Sequence, residues 1–239
     1  MPVARPPQSM RRYPLFVDLA GRRVVVVGGG RVAERKIRHL LECRARITIV
    51  SPTVTPRLHA WRRSGKIQWR PRRYKRCDLQ SAWLVISASD EPIVNRRVAR
   101  DAARGRTLVN VVDDAARSTA IAPAWFRRGA LVVAFSTGGA SPALARRLRL
   151  MLSRSIGREY AAYVAFLARV RRHIHHRVKN AATRQRLMRR LVRADLLPLI
   201  TAGRRAALQR RVAELMDEKP SPASYVINCL TRRRRPRVR

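Results

Sequence analysis

Short apolar runs recur along the first half of the chain: VVVVG at 24–28, ITIV at 47–50, WLVISA at 83–88, TLVNVV at 107–112 and LVVAF at 131–135. They are rich in β-branched residues and bounded by Gly, Pro or Asp, and stretches of helical period lie between the earlier ones. Such runs predict the strands of a parallel sheet buried on both faces, with helices as crossovers. From Ser141 the period changes. Ser141 is an N-cap, Pro142 takes the first helical position, and apolar residues follow at 144, 148, 152, 156, 160, 163, 167, 170 and 174. Gly157 divides this stretch into two helices. Another runs through Leu187, Leu191 and Leu196 until Pro198, and residues 204–216 form one more. The fold class is therefore α/β, with a parallel sheet first and helices after it, and no internal repeat.

Composition narrows the picture. With 239 residues, 46% of them apolar, the chain can build one large core or two small ones. Against 54 Lys and Arg stand 14 Asp and Glu, a formal charge of +40, and 49 of the basic residues are Arg. Partners should be anionic. No apolar run approaches the roughly 18–20 residues that span a bilayer, and the start MPVARPPQSMRR lacks the apolar centre of a signal peptide. A cytoplasmic protein without a membrane partner is expected. Cys43, Cys77 and Cys229 are odd in number and in no metal-binding or redox spacing, so reduced thiols are expected.

The segment VVVVGGGRVAERKIRHLLE runs from four valines through Gly28, Gly29 and Gly30 straight into a helix-period stretch, and another strand follows about 20 residues on. The spacing is G-x-G-x-x-A. Gly28 permits the tight turn, Gly30 lets backbone approach a pyrophosphate, Ala33 allows close helix packing, and the helix N-terminus faces the phosphate charge. The acid that often reads a ribose at the end of the second strand is missing, since the run there is ITIVSPT. Thr53 could hold a ribose by backbone or hydroxyl, or Arg57 could favour the 2′-phosphate of NADP; both stay open.

Two further constellations follow apolar runs. In LVNVVDD, Asn110, Asp113 and Asp114 fall near the carboxyl end of a strand, where α/β sheets place ligands. A carboxylate there is either a general base or a loop cap. The similar loop ISASDEP offers Ser87, Ser89 and Asp90, with Ser89 a candidate cofactor contact and Asp90 equally a cap. In AFSTGGASPALARRL, Ser136, Thr137, Gly138, Gly139 and Ser141 precede a helix and suit either an anion site or a Gly-rich turn with an N-cap. A serine-hydrolase reading fails for want of a G-x-S-x-G elbow. His173, His175 and His176 lie in a basic helical stretch and read as a solvated face rather than a metal site, and no CxxC or HExxH spacing exists, so no metal ligands are assigned.

The strings PLFVDLAGRRVVVVGGGRVAERK, VISASD, NRRV, LVNVVDD and FSTGGASPALARRLR occur in that order between Tyr13 and Arg149. Together they resemble the precorrin-2 dehydrogenase/sirohydrochlorin ferrochelatase family, whose module also forms the N-terminal part of siroheme synthase. A vaguer similarity continues to about residue 200. The resemblance implies NAD-dependent oxidation of precorrin-2 to sirohydrochlorin and, in many members, insertion of ferrous iron to give siroheme. It places the family's essential aspartate at Asp113 and its NAD contacts at the Gly28–Gly30 turn, Arg31, Val32, Pro52 and Thr53. It also implies a homodimer, and Ser136 and Thr137 beside the tetrapyrrole, with Asn110 a further substrate contact. The domains expected are a flexible N-terminus at 1–12, an NAD-binding Rossmann domain at 13–121, a dimerisation segment at 122–149, a helical domain at 150–218 and a basic tail at 219–239. The chain ends before any methyltransferase module, so uroporphyrinogen methylation is expected from another protein.

Precorrin-2 carries eight carboxylates, which suits guanidinium forks, and Arg146, Arg147 and Arg149 are candidates to meet them. The charge of +40 exceeds what that ligand needs. Composition bias toward Arg accounts for it, or else a salt-dependent attraction of the TRRRRPRVR tail to nucleic acid. Beside the dehydrogenase, two other readings stand: a dinucleotide- or nucleic-acid-binding module on the same fold, without any helix-turn-helix pattern, and a noncatalytic dimerisation module, against which Asp113 argues.

Overall fold

The computed structural model describes residues 12–216. The expected basic tail, Cys229 and residues 1–11 lie outside that range. The chain divides after Ala122 into two compact units.

The first unit is a five-stranded parallel sheet in the order β3-β2-β1-β4-β5. Its strands are β1 (Arg23–Val27), β2 (Arg46–Val50), β3 (Gln68–Arg70), β4 (Leu84–Ser87) and β5 (Leu108–Val111). The helices between them are α1 (Arg31–Glu42), α2 (Pro56–Arg63) and α3 (Pro92–Arg104). Alternate residues of β1 enter two cores, as a central strand covered on both faces requires. Val24 and Val26 pack with Ala33, Ile37 and Leu40 of α1, whereas Val25 and Val27 pack with Val98, Ala99 and Ala102 of α3. Four of the five apolar runs are β1, β2, β4 and β5. The short β3 is an addition, paired through Trp69 with Ile49.

Register aligns the strand ends. Val50, Val27, Ser87 and Val111 are successive partners across β2, β1, β4 and β5. The chain leaves β1 toward β2 on one side and returns as β4 on the other, so the sheet's switch point lies between β1 and β4, at that row of carboxyl ends.

The second unit opens with an antiparallel hairpin of β6 (Ala124–Arg128) and β7 (Leu131–Phe135), followed by α4 (Pro142–Ser155), α5 (Glu159–Arg177), α6 (Ala181–Arg193), α7 (Leu197–Thr201) and α8 (Arg205–Met216). Phe166, Val170 and Ile174 of α5 pack with Leu187 and Leu191 of α6 and with Leu208 and Val212 of α8. Gly157 separates α4 from α5 as expected. Pro198 behaves differently: α6 already ends at Arg193, Asp195 takes φ 42°, and Pro198 stands in the first turn of α7, where its missing N–H has no helical partner to lose. The segments expected as a dimerisation region and a helical domain belong to the same compact unit.

Candidate functional site at the carboxyl ends of the sheet

Four loops leave the aligned strand ends: Gly28–Gly30 after β1, Ser51–Thr55 after β2, Ala88–Glu91 after β4 and the turn at Val112–Asp113 after β5. Six predicted residues or clusters lie on them or at their edge: the Gly28–Gly30 turn, Pro52, Thr53, Ser89, Asn110 and Asp113. Arg31 and Val32 open α1 beside them.

The three glycines do different work. Gly28 has φ 112°, and its N–H donates to the Val50 carbonyl at 3.0 Å. A Cβ at Gly28 would strike the Ala88 carbonyl, and one at Gly29 would strike the Thr53 carbonyl. Both therefore let neighbouring loops close on the turn. Gly30 is the N-cap of α1, with φ −81° and no atom within 4 Å of a Cβ placed there. Open space thus lies over a helix N-terminus whose first amides have no intrahelical acceptor, a setting that fits a pyrophosphate.

The β2 loop is folded onto this turn. The Thr55 N–H donates to the Gly29 carbonyl at 3.0 Å, and Thr55 Oγ1 caps α2 by accepting from the Leu58 N–H at 3.3 Å. Ser51 is buried, while Pro52 and Thr53 are exposed. Thr55 Oγ1 also donates to Glu34 Oε2 at 2.9 Å. The β4 loop is held by Asn95, which accepts from Ser87 Oγ at 2.7 Å and from the Ser89 N–H at 3.2 Å, and donates to the Ser89 carbonyl at 2.8 Å. Asp90 does not cap α3; Glu91 is the N-cap, and Ser89 Oγ accepts its N–H at 3.2 Å.

After β5 the two aspartates separate in role. Asp114 is the loop cap: its Oδ1 accepts the Arg117 N–H at 3.0 Å and its Oδ2 pairs with the Arg117 guanidinium, which holds the carboxyl below the usual range. Asp113 is exposed at φ 60°, and among the described residues it has no ion pair within 4 Å. Lys36 of α1 feels its charge: burial and then Arg35 push the ammonium down, and Asp113 opposes them. Asn110 is 8% exposed. Its Nδ2 donates to the Ala120 carbonyl at 3.1 Å, and its buried Oδ1 has no hydrogen-bond partner among the described residues. Ser118 and Thr119 complete the closure of this edge strand, accepting the N–H groups of Val111 and Val109 at 2.9 Å each.

In the second unit Ser136, Thr137 and Ser141 form a turn and an N-cap. Their hydroxyls accept the N–H groups of Gly138 at 3.0 Å, Ser141 at 3.2 Å and Leu144 at 3.1 Å. Arg146 and Arg147 are exposed on α4, and Arg149 is half-buried. Glu34, Lys36, Thr55, Asn95, Ser118 and Thr119 were not singled out from sequence. The helical spacing of Glu34 and Lys36 gives no sign of which loop they reach.

A family described as "Putative NAD(P)-binding" matches residues 15–124. The siroheme synthase 1 of Aeromonas salmonicida is 37% identical over 219 residues, covering 91% of this chain and 47% of that protein. The siroheme synthase of Xylella fastidiosa is 38% identical over 209 residues, covering 87% and 44%. The chain thus spans about half the length of these relatives. A solved structure of SirC, precorrin-2 dehydrogenase, superposes with a TM-score of 0.71 and 30% identity, over 86% of this chain and 99% of that one. The chain belongs to the precorrin-2 dehydrogenase family. As a member of that family it carries the α/β dinucleotide-binding fold, and the loops at the carboxyl ends of its sheet are where that fold places its cofactor. Among the described residues no helix is long and apolar enough to cross a membrane, and no three His, Cys, Asp or Glu side chains are grouped to hold a metal ion.

Proposed function

We propose that this chain oxidises precorrin-2 to sirohydrochlorin with NAD as hydride acceptor, and that the same site then assists insertion of ferrous iron to give siroheme. The observation that carries the reading is the alignment of strand ends: Gly28–Gly30 and Asp113 leave the same edge of one sheet, on opposite sides of its switch point. NAD bound there accepts the hydride that leaves the substrate. Gly28–Gly30, Arg31 and Val32 hold its pyrophosphate at the start of α1, with Pro52, Thr53 and Ser89 on the flanking loops.

Asp113 is the general base. An exposed carboxylate with no ion pair among the described residues is available to take the proton that departs as the hydride leaves. In the metal step the tetrapyrrole loses two further N–H protons to the entering Fe²⁺, which is a substrate, and Asp113 is again the acceptor. Asn110, Ser136, Thr137 and Arg146 are assigned to the substrate, Arg146 as a guanidinium fork for its carboxylates. The protein works as a cytoplasmic homodimer. Supporting that state, β7 is apolar throughout yet only half-buried, and α4 has no buried residue although it carries Leu144, Leu150 and Met151.

The test is anaerobic absorbance with precorrin-2 and NAD, followed by Fe²⁺. Sirohydrochlorin forming only with protein and NAD is expected, with faster siroheme formation than in protein-free controls. Asp113→Asn should abolish oxidation and leave NAD binding nearly intact. Full turnover by that variant would remove Asp113 from the reaction.

A further inference from the structure

The second strand ends without the acid that often reads the adenosine ribose, and Arg57 nearby offers a charge for a 2′-phosphate. The structure brings a carboxylate to this place from another element. Glu34, in the first turn of α1, has a side chain only 16% exposed. Its Oε1 lies 3.7 Å from Arg57 Nη1 and 3.8 Å from Arg38 Nη2, and its Oε2 accepts from Thr55 Oγ1 at 2.9 Å. Thr55 is the residue whose N–H closes the β2 loop on Gly29. Arg57 is itself 60% exposed, with its guanidinium 5.7 Å from the Trp61 ring centre, so it stands at the surface and is turned toward Glu34.

We propose that Glu34 is a specificity-determining residue that selects NAD over NADP. It engages Arg57 and Arg38 and places a negative charge beside the loop that borders the adenosine ribose. A neutral 2′-hydroxyl is then tolerated. A 2′-phosphate, with close to two negative charges, meets a carboxylate where it needs a free guanidinium. This rests on the dinucleotide site described under the proposed function.

Calorimetric titration of the full chain with NAD and with NADP, separately, tests it. Glu34→Gln keeps the side chain's shape and its acceptor for Thr55 but releases both guanidiniums. It should tighten NADP relative to NAD by about tenfold, the worth of one charge-assisted contact. Arg57→Ala should cancel that gain in the Glu34→Gln background and change little alone. Arg57→Glu, at a position whose side chain is 60% exposed, should move the ratio further toward NAD. An unchanged NADP-to-NAD ratio in Glu34→Gln overturns the inference while leaving the site intact, as does a gain that survives Arg57→Ala. A wild-type chain that binds neither dinucleotide overturns the site and the inference together.

Discussion

Arg72 grips Asp78 with both ends of its guanidinium, Nη1 to Oδ2 at 2.8 Å and Nη2 to Oδ1 at 2.6 Å. The Asp78 side chain is fully buried. It also accepts from Arg70 Nη1 at 2.6 Å and from the Lys75 N–H at 2.9 Å, while its carbonyl accepts from Arg23 Nη2 at 3.1 Å. The carboxylate therefore ties the end of β3 and Arg72 to the segment before β4, and the backbone carbonyl of the same residue reaches the start of β1. Asp78→Asn would leave two cations facing a neutral amide. A fully buried pair broken in this way costs about 3–5 kcal/mol. Arg70 and Arg72 are 42% and 35% exposed, which lets water screen them, so roughly 2–3 kcal/mol is expected by chemical denaturation.

The same clamp predicts an acid limit. Burial pushes the Asp78 carboxyl up, but the hydrogen bonds from Arg72, Lys75 and Arg70 outweigh it and bring it down to about 2. The unfolded value is about 3.9. Because the folded value is the lower one, this stabilisation is complete above about pH 5 and is lost as pH falls toward 2. Unfolding free energy measured against pH should fall through that window in the wild type and fall less in Asp78→Asn. Equal slopes would show that other carboxylates govern acid unfolding.

Gly28 and Gly30 should separate folding from cofactor binding. Gly28→Ala forces a left-handed residue and drives a Cβ into the Ala88 carbonyl, so both stability and NAD binding should be lost. Gly30→Ala meets nothing within 4 Å and sits at an ordinary φ of −81°. It should melt within a few degrees of the wild type, since an N-cap change of this kind costs about 1 kcal/mol or less. Its methyl group would occupy the space proposed for pyrophosphate, and NAD affinity should drop at least about tenfold, or about 1.4 kcal/mol. Wild-type NAD affinity in Gly30→Ala would move the pyrophosphate away from this turn.

The buried strands were legible because their signal is local: four valines can only be a covered strand, and glycines must mark the turn that follows. β3 escaped because its three residues, Gln68, Trp69 and Arg70, show no apolar run; what holds the segment is partly the Trp69 Nε1 donation to the Ser51 carbonyl at 2.9 Å. β6 escaped because its apolar run is only three residues long before Arg127 and Arg128, although Arg128 is tied by its guanidinium to the Ile156 and Ser153 carbonyls. The site divides the same way. Its glycines and Asp113 are written in motifs, whereas Glu34 reaching Thr55 and Asn95 reaching Ser89 are tertiary contacts of single polar side chains, which no period encodes.

The apolar surface of the second unit predicts its own oligomeric test. A two-stranded sheet is marginal alone, and here Leu144, Leu150 and Met151 of α4 are 47%, 42% and 52% exposed. Leu150→Asp with Met151→Glu should yield monomers by light scattering while helical content is kept, because neither side chain is part of the packed helical core. A double variant that stays dimeric would place the interface elsewhere.

Lys36 carries the last prediction. It lies one turn beyond Val32 and Ala33, and Ala33 belongs to a cluster against which both Val32 and Val112 pack, so the helix and the turn bearing Asp113 share one face of the sheet. Burial and then Arg35 push its ammonium down, while the Asp113 charge opposes them. Lys36→Met should lower kcat for precorrin-2 oxidation several-fold with little change in NAD affinity, and Lys36→Arg should restore most of the loss. An unchanged kcat in Lys36→Met would mean that its charge has no part in the oxidation.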